Sequence, residues 1–306
     1  MVKTIDTLLE DVASILEHSH EASEENLDKL ADTIRRVVKD KLQREGNGPF
    51  YLRFSNLGYP DRYLWYSSKR DSGPSSTNRD NPKQARSIDY ATALKFLIGD
   101  IYEAVILFLI KESGHSVTDE QKKVTLDGIE GSMDAKIDGV PVDIKSASSF
   151  SFRSKFTNGN LANDDHYGYI TQLSGYAQAD ESYDESKGVA FLGANKETGE
   201  LALFHLDGLE LTDVKQRIKQ AKELVQGDRP TNKCYREVDD GKSGNRTLAK
   251  PCTWCPFRFD CWADSNDGQG LRAFKYANGI KYLTHVEKLP NVDEVPSQTV
   301  EETPDE

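Results

Sequence analysis

The chain has 306 residues, of which 37% are hydrophobic and 29% are charged, and its formal net charge is −12. This length and composition are typical of a globular protein with one large domain or two small ones, and they exclude a fibrous or disordered polymer. No apolar run approaches the roughly 20 residues that span a bilayer, and the N-terminus lacks the pattern of a signal peptide, so we expect a cytoplasmic protein without a membrane partner.

The first 40 or so residues are predicted to form two amphipathic helices, from about Thr4 to about Leu42, because apolar residues recur there at helical spacing. The second helix ends in a basic stretch that contains Arg35, Arg36, Lys39, Lys41 and Arg44. Such a stretch is typical of a solvated helix face, and contact with a DNA backbone is the alternative.

Two dissimilar segments follow. Tyr51–Tyr66 is rich in aromatic residues and is divided by a Gly-Tyr-Pro-Asp turn, so we expect it to be ordered and to lead into the core. Ser67–Arg86 is dense in Ser, Asn, Pro, Gly, Lys and Arg, which is typical of a mobile loop.

The middle of the chain is predicted to be mixed α/β. Tyr90–Glu112 is apolar on nearly every face, as expected of a largely buried helix, and it contains the acidic residue Glu103. Short β-type runs alternate with further helices after it. The predicted strands are Lys122–Leu126, Ile129–Ile137, Val140–Lys145, Gly188–Ala194 and Leu201–Leu206, and the predicted helices are Tyr167–Ala179 and Asp213–Val225. The order predicts a central mixed β-sheet flanked by helices.

Two acids and a lysine in this region are candidates for catalysis. Strands joined by an Asp138-Gly139 turn would set Asp134 close to Asp143, and strand alternation puts Lys145 on the same face as Asp143. Close carboxylates repel each other unless a divalent cation neutralises them, which favours an oxygen-ligated Mg²⁺ or Mn²⁺. The alternative is a surface hairpin on which the three side chains are solvated.

All four cysteines lie in a short C-terminal stretch, at Cys234, Cys252, Cys255 and Cys261. In a reducing cytosol such a cluster indicates a metal or iron–sulfur site rather than a disulfide framework. Four thiolates suit either tetrahedral Zn²⁺ or a cubane cluster, and free thiols are the remaining alternative.

A family resemblance rests on motifs in a fixed order: Gly131-x-x-Asp134, Asp143-x-Lys145 and Gln172-x-x-x-Tyr176. As an ordered set they resemble RecB-type nucleases of the PD-(D/E)xK superfamily, which implies a restriction-endonuclease-like core. Upstream, Glu103 in Gly99-Asp-Ile-Tyr-Glu103 stands where this family commonly has the histidine of Gly-x-x-x-His, a metal ligand. A glutamate also binds hard cations.

The resemblance implies a role for each residue. The metal ligands would be Glu103, Asp134, Asp143 and the main-chain carbonyl of Ile144. Lys145 would position the nucleophilic water or stabilise the transition state. Gln172 and Tyr176 would orient the DNA or the active site, although plain helix packing is the alternative for Tyr176, and pairing with a basic residue is the alternative for Glu103.

The spacing Cys252-x-x-Cys255-x5-Cys261 resembles the C-terminal cysteine triplet of the iron–sulfur branch of these nucleases, in which four cysteines hold a 4Fe-4S cluster that clasps the domain shut. The fourth cysteine of that branch lies upstream, where this chain has Asp61 instead. Cys234 is the expected replacement ligand, with Asp61 left open. The resemblance thus favours a 4Fe-4S cluster, with Zn²⁺ as the alternative.

The sequence therefore predicts a metal-dependent DNA nuclease, more in keeping with an exonuclease than an endonuclease. The alternatives are a non-catalytic DNA-binding or assembly protein and a Zn-dependent regulatory module. Because no helicase motif is present, the stand-alone form resembles bacteriophage nucleases, which act in the host cytoplasm. Its acidity does not exclude DNA, since much of it lies in the tail Val292–Glu306.

The predicted organisation has four parts: an N-terminal helical segment over 1–48, a nuclease core over 49–228, a cysteine-rich segment packed on the core over 229–265, and an extension with an acidic, disordered tail over 266–306. DNA with ends is the expected partner, and a homo-oligomer is left open.

Overall fold

The computed structural model describes residues 3–43, 50–69, 90–208 and 211–296. Its helices are α1 (Leu8–Glu17), α2 (Glu24–Gln43), α3 (Phe54–Leu57), α4 (Asp61–Lys69), α5 (Tyr90–Glu112), α6 (Ser149–Phe152), α7 (Tyr169–Ala179), α8 (Val214–Gln226), α9 (Lys250–Thr253), α10 (Arg258–Cys261) and α11 (Ser265–Gly268). Its strands are β1 (Val117–Thr118), β2 (Lys122–Leu126), β3 (Ile129–Met133), β4 (Ala135–Ile137), β5 (Val140–Ala147), β6 (Val189–Asn195), β7 (Leu201–Leu206), β8 (Val238–Asp239), β9 (Arg246–Thr247), β10 (Arg272–Tyr276), β11 (Gly279–His285) and β12 (Glu294–Val295). Among the described helices, none combines the length and the apolarity needed to cross a membrane.

The chain divides into two compact units that do not follow the four predicted segments. The first unit contains Met1–Tyr59 and Ser87–Glu223, and the second contains Pro60–Arg86 and Leu224–Glu306. The N-terminal helices therefore belong to the same unit as the predicted catalytic residues. The predicted loop Ser67–Arg86 is described only to Lys69, where α4 ends, and the rest of it lies outside the described residues.

A mixed five-stranded sheet forms the centre of the first unit, in the order β1-β4-β5-β6-β7. β5 and β6 pair in parallel, while the other neighbours pair antiparallel. Every residue of β6 is buried, as expected of a strand covered on both faces. Side chains of α1 and α5 pack with Val142 and Ile144 of β5 in one core cluster, and α7 also contacts β5. The predicted mixed sheet flanked by helices is confirmed.

The strand predicted over Ile129–Ile137 is wrong, because the chain changes sheets at Asp134. β3 pairs with β2 in a two-stranded ribbon, whereas β4 pairs with β5 in the central sheet. The predicted turn between β4 and β5 is confirmed. Asp138 and Gly139 have φ values of 51° and 83°, a left-handed pair that Asp-Gly adopts readily in tight hairpins.

Helix α5 is less buried than predicted. Only Ala104, Ile106, Leu107 and Ile110 are fully buried in it, whereas Leu94 and Phe96 are about half exposed, at 52% and 51%. A helix of 23 residues is roughly 35 Å long and an eight-residue strand roughly 27 Å, so α5 is longer than β5, the longest strand of the sheet. The apolar pattern alone does not reveal this difference.

The second unit has its own five-stranded sheet, in the order β12-β10-β11-β9-β8. Residues 229–265 supply β8 and β9, and residues 266–306 supply the other three strands, so the predicted boundary at 265 falls inside one sheet. Its core includes Cys252, Cys261, Trp262 and Tyr282. Within the predicted disordered tail, Glu294–Val295 is a strand, and residues 297–306 lie outside the described residues.

A buried ion cluster ties the β4 strand to the end of α7. Asp180 is only 6% exposed and contacts both Lys136 and, at 3.1 Å, Lys122. Burial would raise the pKa of Asp180, but the hydrogen bonds from Lys136 and Lys122 outweigh it and lower the pKa to about 2. The charged form of Asp180 is therefore stabilised by folding.

Replacing this aspartate should destabilise the protein in a pH-dependent way. Because its folded pKa lies below the usual 3.8, its stabilisation is complete above pH 4 and is lost as pH falls towards 2. We expect Asp180→Asn to lower the free energy of unfolding by about 2 kcal/mol at pH 6, with the difference shrinking in acid. Urea unfolding at several pH values measures this, with the exposed Asp228→Asn as control. An equal loss at pH 6 and pH 3 would contradict the assignment.

Candidate functional site

Asp143 and Lys145 form an ion pair on β5. The Asp143 side chain is almost fully buried, and Lys145 Nζ lies 2.7 Å from Asp143 Oδ2. Alternation along the strand accounts for this, since the two residues share the face opposite Ile144. Lys145 is thus the partner of this buried oxygen, and its charge and hydrogen bond oppose the rise that burial causes in the pKa of Asp143.

Asp134 lies at the break between β3 and β4. Its Oδ2 accepts a hydrogen bond of 2.9 Å from the main-chain N–H of Ile144, which fixes the carboxylate beside β5. Ile144 therefore contacts the site through its backbone, although the bond uses its N–H rather than the carbonyl that the resemblance implies as a ligand. The change of sheets thus frees Asp134 from strand pairing and places its side chain at the edge of β5.

Glu103 on α5 is joined to Asp134 by a residue that the sequence did not single out. Gln121 donates from Nε2 to Glu103 Oε1 at 2.7 Å, and its main-chain N–H donates to the Asp134 carbonyl at 3.0 Å. Gln121 has a φ of 52°, an uncommon conformation for a residue with a side chain. No local sequence signal marks Gln121, because its role depends on this turn and on contact with a distant helix.

The three carboxylates lie near enough to influence one another. Burial, and then repulsion from Asp134 and Asp143, raises the pKa of Glu103 to about 8. Burial and Asp143 likewise raise the pKa of Asp134 to about 7, and burial raises that of Asp143. Burial alone would lower the pKa of Lys145, but Asp143 and Asp134 hold it above its usual value. Three ionised carboxylates would carry more negative charge than Lys145 alone neutralises, so the site resists their full ionisation.

Gln172 and Tyr176 lie on the same face of α7 and contact each other. Gln172 Nε2 donates to Tyr176 Oη at 2.8 Å and lies 3.5 Å from Asp143 Oδ1, the outer limit of a hydrogen bond. Tyr169 begins this helix, and its ring centre lies 5.1 Å from Lys145 Nζ. Residues 169, 172 and 176 share one helical face, so the spacing could have revealed Tyr169.

The predicted metal ligands fit a divalent cation in chemistry and charge. The carboxylates of Glu103, Asp134 and Asp143 offer the hard oxygen donors that Mg²⁺ and Mn²⁺ prefer. They are not drawn into a preformed centre: among residues 3–43, 50–69, 90–208 and 211–296, no three His, Cys, Asp or Glu side chains meet as a metal-ligating group.

Among the described residues, the cysteines do not form a metal-ligating group either. They nevertheless lie near one another in the second unit. Burial raises the pKa of all four thiols, to about 12 for Cys252 and about 11 for Cys255, and Cys234 raises the pKa of the other three further. All four are free thiols. Buried thiols that raise each other's pKa form a donor set that a soft cation or cluster would neutralise.

Cys234 lies beside the first turn of α4. Its sulfur accepts hydrogen bonds from the main-chain N–H groups of Arg62 and Tyr63, in the first turn of α4, next to Asp61. The Arg62 side chain also donates to the Cys261 carbonyl at 3.3 Å. Cys234 therefore joins the segment of α4 to the cysteine triplet, while Asp61 raises the pKa of Cys234 by its charge.

Comparison with known proteins identifies no family. No family model matches the chain, and no curated protein matches it. A solved structure described as the crystal structure of SSO0001 is similar at 12% identity, covering 74% of this chain and 93% of that chain, with a TM-score of 0.36. A likeness of this size carries no argument, so any assignment rests on the site itself.

Gly131, in the Gly-x-x-Asp motif, leaves room for the aromatic residues behind the site. A Cβ at this position would lie 2.5 Å from Tyr176 Cε1 and 2.7 Å from Phe54 Cδ2. The Phe54 and Tyr176 rings pack edge to face with centres 5.7 Å apart, and both are buried. A side chain at residue 131 would therefore displace Tyr176 and, through it, Gln172.

We expect Gly131→Ala to lower the free energy of unfolding by about 1–3 kcal/mol, because the methyl group overpacks a buried contact. Gly99→Ala is the matched control. Its Cβ would lie 3.4 Å from Ser146 Oγ, an ordinary contact, and alanine favours a helix interior by about 0.5–1 kcal/mol. Urea unfolding of both variants measures the difference. Equal stability of the two variants would show that this contact is not tight.

Proposed function

We propose that the chain is a metal-dependent DNA nuclease. The observation that carries the proposal is the Asp143–Lys145 ion pair on β5, with Asp134 held beside it by the Ile144 N–H. Glu103 on α5 is near enough for Asp134 and Asp143 to raise its pKa. The same residues form the ordered motifs that resemble RecB-type nucleases. The choice of DNA, and of exonuclease over endonuclease action, rests on that resemblance.

Each residue has a distinct task in the proposed reaction. Glu103, Asp134 and Asp143 would hold the cation, with the Ile144 carbonyl as a further oxygen donor. A bound Mg²⁺ or Mn²⁺ supplies Lewis-acid chemistry and a water of lowered pKa. Lys145, kept protonated by Asp143, would place its ammonium beside the phosphate oxygens on which negative charge develops.

The other residues hold this arrangement in place. Gln172 orients its amide between Asp143 and Tyr176, and the Tyr176 ring is fixed by Phe54. Gln121 restrains Glu103 and the backbone at Asp134 together. They are positioning residues, because their contacts are with the carboxylates that would bind the metal.

The cysteines would hold a 4Fe-4S cluster in the second unit. Its support is the convergence of Cys234 with Cys252, Cys255 and Cys261 and the match of the triplet to the iron–sulfur branch. Such a cluster would clasp the α4 segment to the C-terminal segment, which are far apart in sequence. The clasp would therefore contribute to folding of this unit.

The nuclease proposal is tested with linear and circular DNA, single- and double-stranded, in Mg²⁺, in Mn²⁺ and in EDTA. We expect hydrolysis of linear DNA only with metal, and a loss of about 100-fold or more in Lys145→Ala, because a charge that stabilises the transition state is removed. Glu103→Gln, which keeps the shape of the side chain, should also lose activity.

Lys219→Ala, an exposed lysine on α8, is the matched control and should act like wild type. Thermal unfolding checks that the variants are folded. Inert wild-type protein that still binds DNA would overturn the proposal in favour of a non-catalytic DNA-binding protein. Cutting of circular DNA at the same rate as linear DNA would overturn the exonuclease assignment alone.

Metal analysis of anaerobically purified protein tests the cluster. We expect iron and acid-labile sulfide in equal amounts, and the loss of both in Cys234→Ser, because a buried ligand is removed. Asp61→Asn should keep the cluster if Cys234 is the fourth ligand. Zinc without sulfide would replace the cluster with a zinc site, and retention of iron in Cys234→Ser together with its loss in Asp61→Asn would reverse the ligand assignment.

A further inference from the structure

Helix α2 belongs to the first unit but contributes little to its core. It is 20 residues long, yet none of its side chains is fully buried. Polar contacts hold it near both ends to the antiparallel α5. Asn26 Nδ2 donates to Glu112 Oε1 at 2.6 Å, and Lys41 Nζ lies 3.2 Å from Asp100 Oδ2. Hydrophobic burial alone therefore does not explain why α2 is retained beside α5.

A groove lined by residues of α2, α5 and the β2–β3 region reaches the proposed catalytic carboxylates. Its volume is about 1210 Å³, and Glu103 and Asp134 are among the residues that line it. One wall is a face of α2 on which Lys29, Thr33 and Arg36 recur at helical spacing. Any ligand that lies along this groove therefore contacts both the N-terminal helix and the candidate metal ligands.

The charges along the groove favour a polyanion. Arg36 on α2 and Lys123 on β2 are exposed, and each lacks an ion pair with any other described residue. The carboxylates of the groove other than Glu103 and Asp134 are mostly neutralised. The pairs are Asp32 with Arg35, Asp100 with Lys41, and Glu120 with Lys111. Within the described chain this leaves Asp40 opposing two unpaired cations.

We propose that a DNA strand lies in this groove, with its phosphates contacted by Arg36 and Lys123 as it runs to Glu103 and Asp134. This inference rests on the proposed function and names the surface that binds its substrate. A guanidinium group from α2 and an ammonium group from β2 suit phosphates spaced along a strand. Divalent cations at the carboxylates would remove the remaining repulsion at that end. The basic residues of α2 thus divide into a groove face and a solvated face.

The test is fluorescence anisotropy with labelled single-stranded and duplex oligonucleotides, in EDTA and in Ca²⁺ without Mg²⁺ or Mn²⁺, so that binding is measured with and without a cation at the carboxylates. The variant Arg36→Ala/Lys123→Ala should bind about tenfold more weakly than wild type at ~0.1 M salt. The slope of log affinity against log salt should also become shallower, by about 1.5–2, since two phosphate contacts are lost. The oligonucleotide with the larger loss identifies the form of DNA in the groove.

Lys39→Ala/Lys219→Ala is the matched control, because it removes the same charge from exposed positions outside the groove, one of them on α2. If both double variants lose affinity and slope equally, the groove does not bind the strand and the inference is overturned. The nuclease assay is read separately. Normal cutting with no groove effect overturns only this inference, whereas a groove effect in a protein that never cuts DNA supports it and overturns the nuclease.

Discussion

The burial of Asp143 beside Lys145 is the constraint around which the first unit is arranged. A carboxylate removed from water must be protonated, paired or bound to a cation, because an isolated buried charge is costly. Burial raises the pKa of all three carboxyl groups, and repulsion from neighbouring carboxylates raises it further for Glu103 and Asp134. The fold therefore holds together three acidic groups whose ionisation is unfavourable. Such perturbed pKa values are typical of a functional site.

The rest of the site maintains that cluster through small local devices. The chain changes sheets at Asp134, so this residue is not paired in either sheet. The main-chain N–H of Ile144 then holds its carboxylate beside β5. Gly131 gives the Tyr176 ring its place, and Tyr176 positions Gln172 next to Asp143. The backbone thus positions Asp134, and side-chain packing positions the group next to Asp143.

Local patterns in the sequence were sufficient for much of this arrangement. Strand alternation foretold that Asp143 and Lys145 share one face, and the limits of β7 agree with prediction. Features that depend on distant partners were missed. The break at Asp134 interrupts a continuous β-type run, and Gln121 acts only through Glu103 on another element. The exposed start of α5 depends on the length of the sheet, which its own residues do not encode.

The attachment of α2 has a consequence for the dynamics of the first unit. The amides of β5 and β6 lie in a parallel pair whose second strand is buried throughout, whereas α2 adds no fully buried side chain to the core. Local opening free energies follow such differences in burial. We therefore expect α2 to separate from α5 while the sheet stays intact, and its amide hydrogens to exchange with solvent before those of the sheet. The groove wall that α2 forms would then open first, and such an opening would admit an extended ligand from the side.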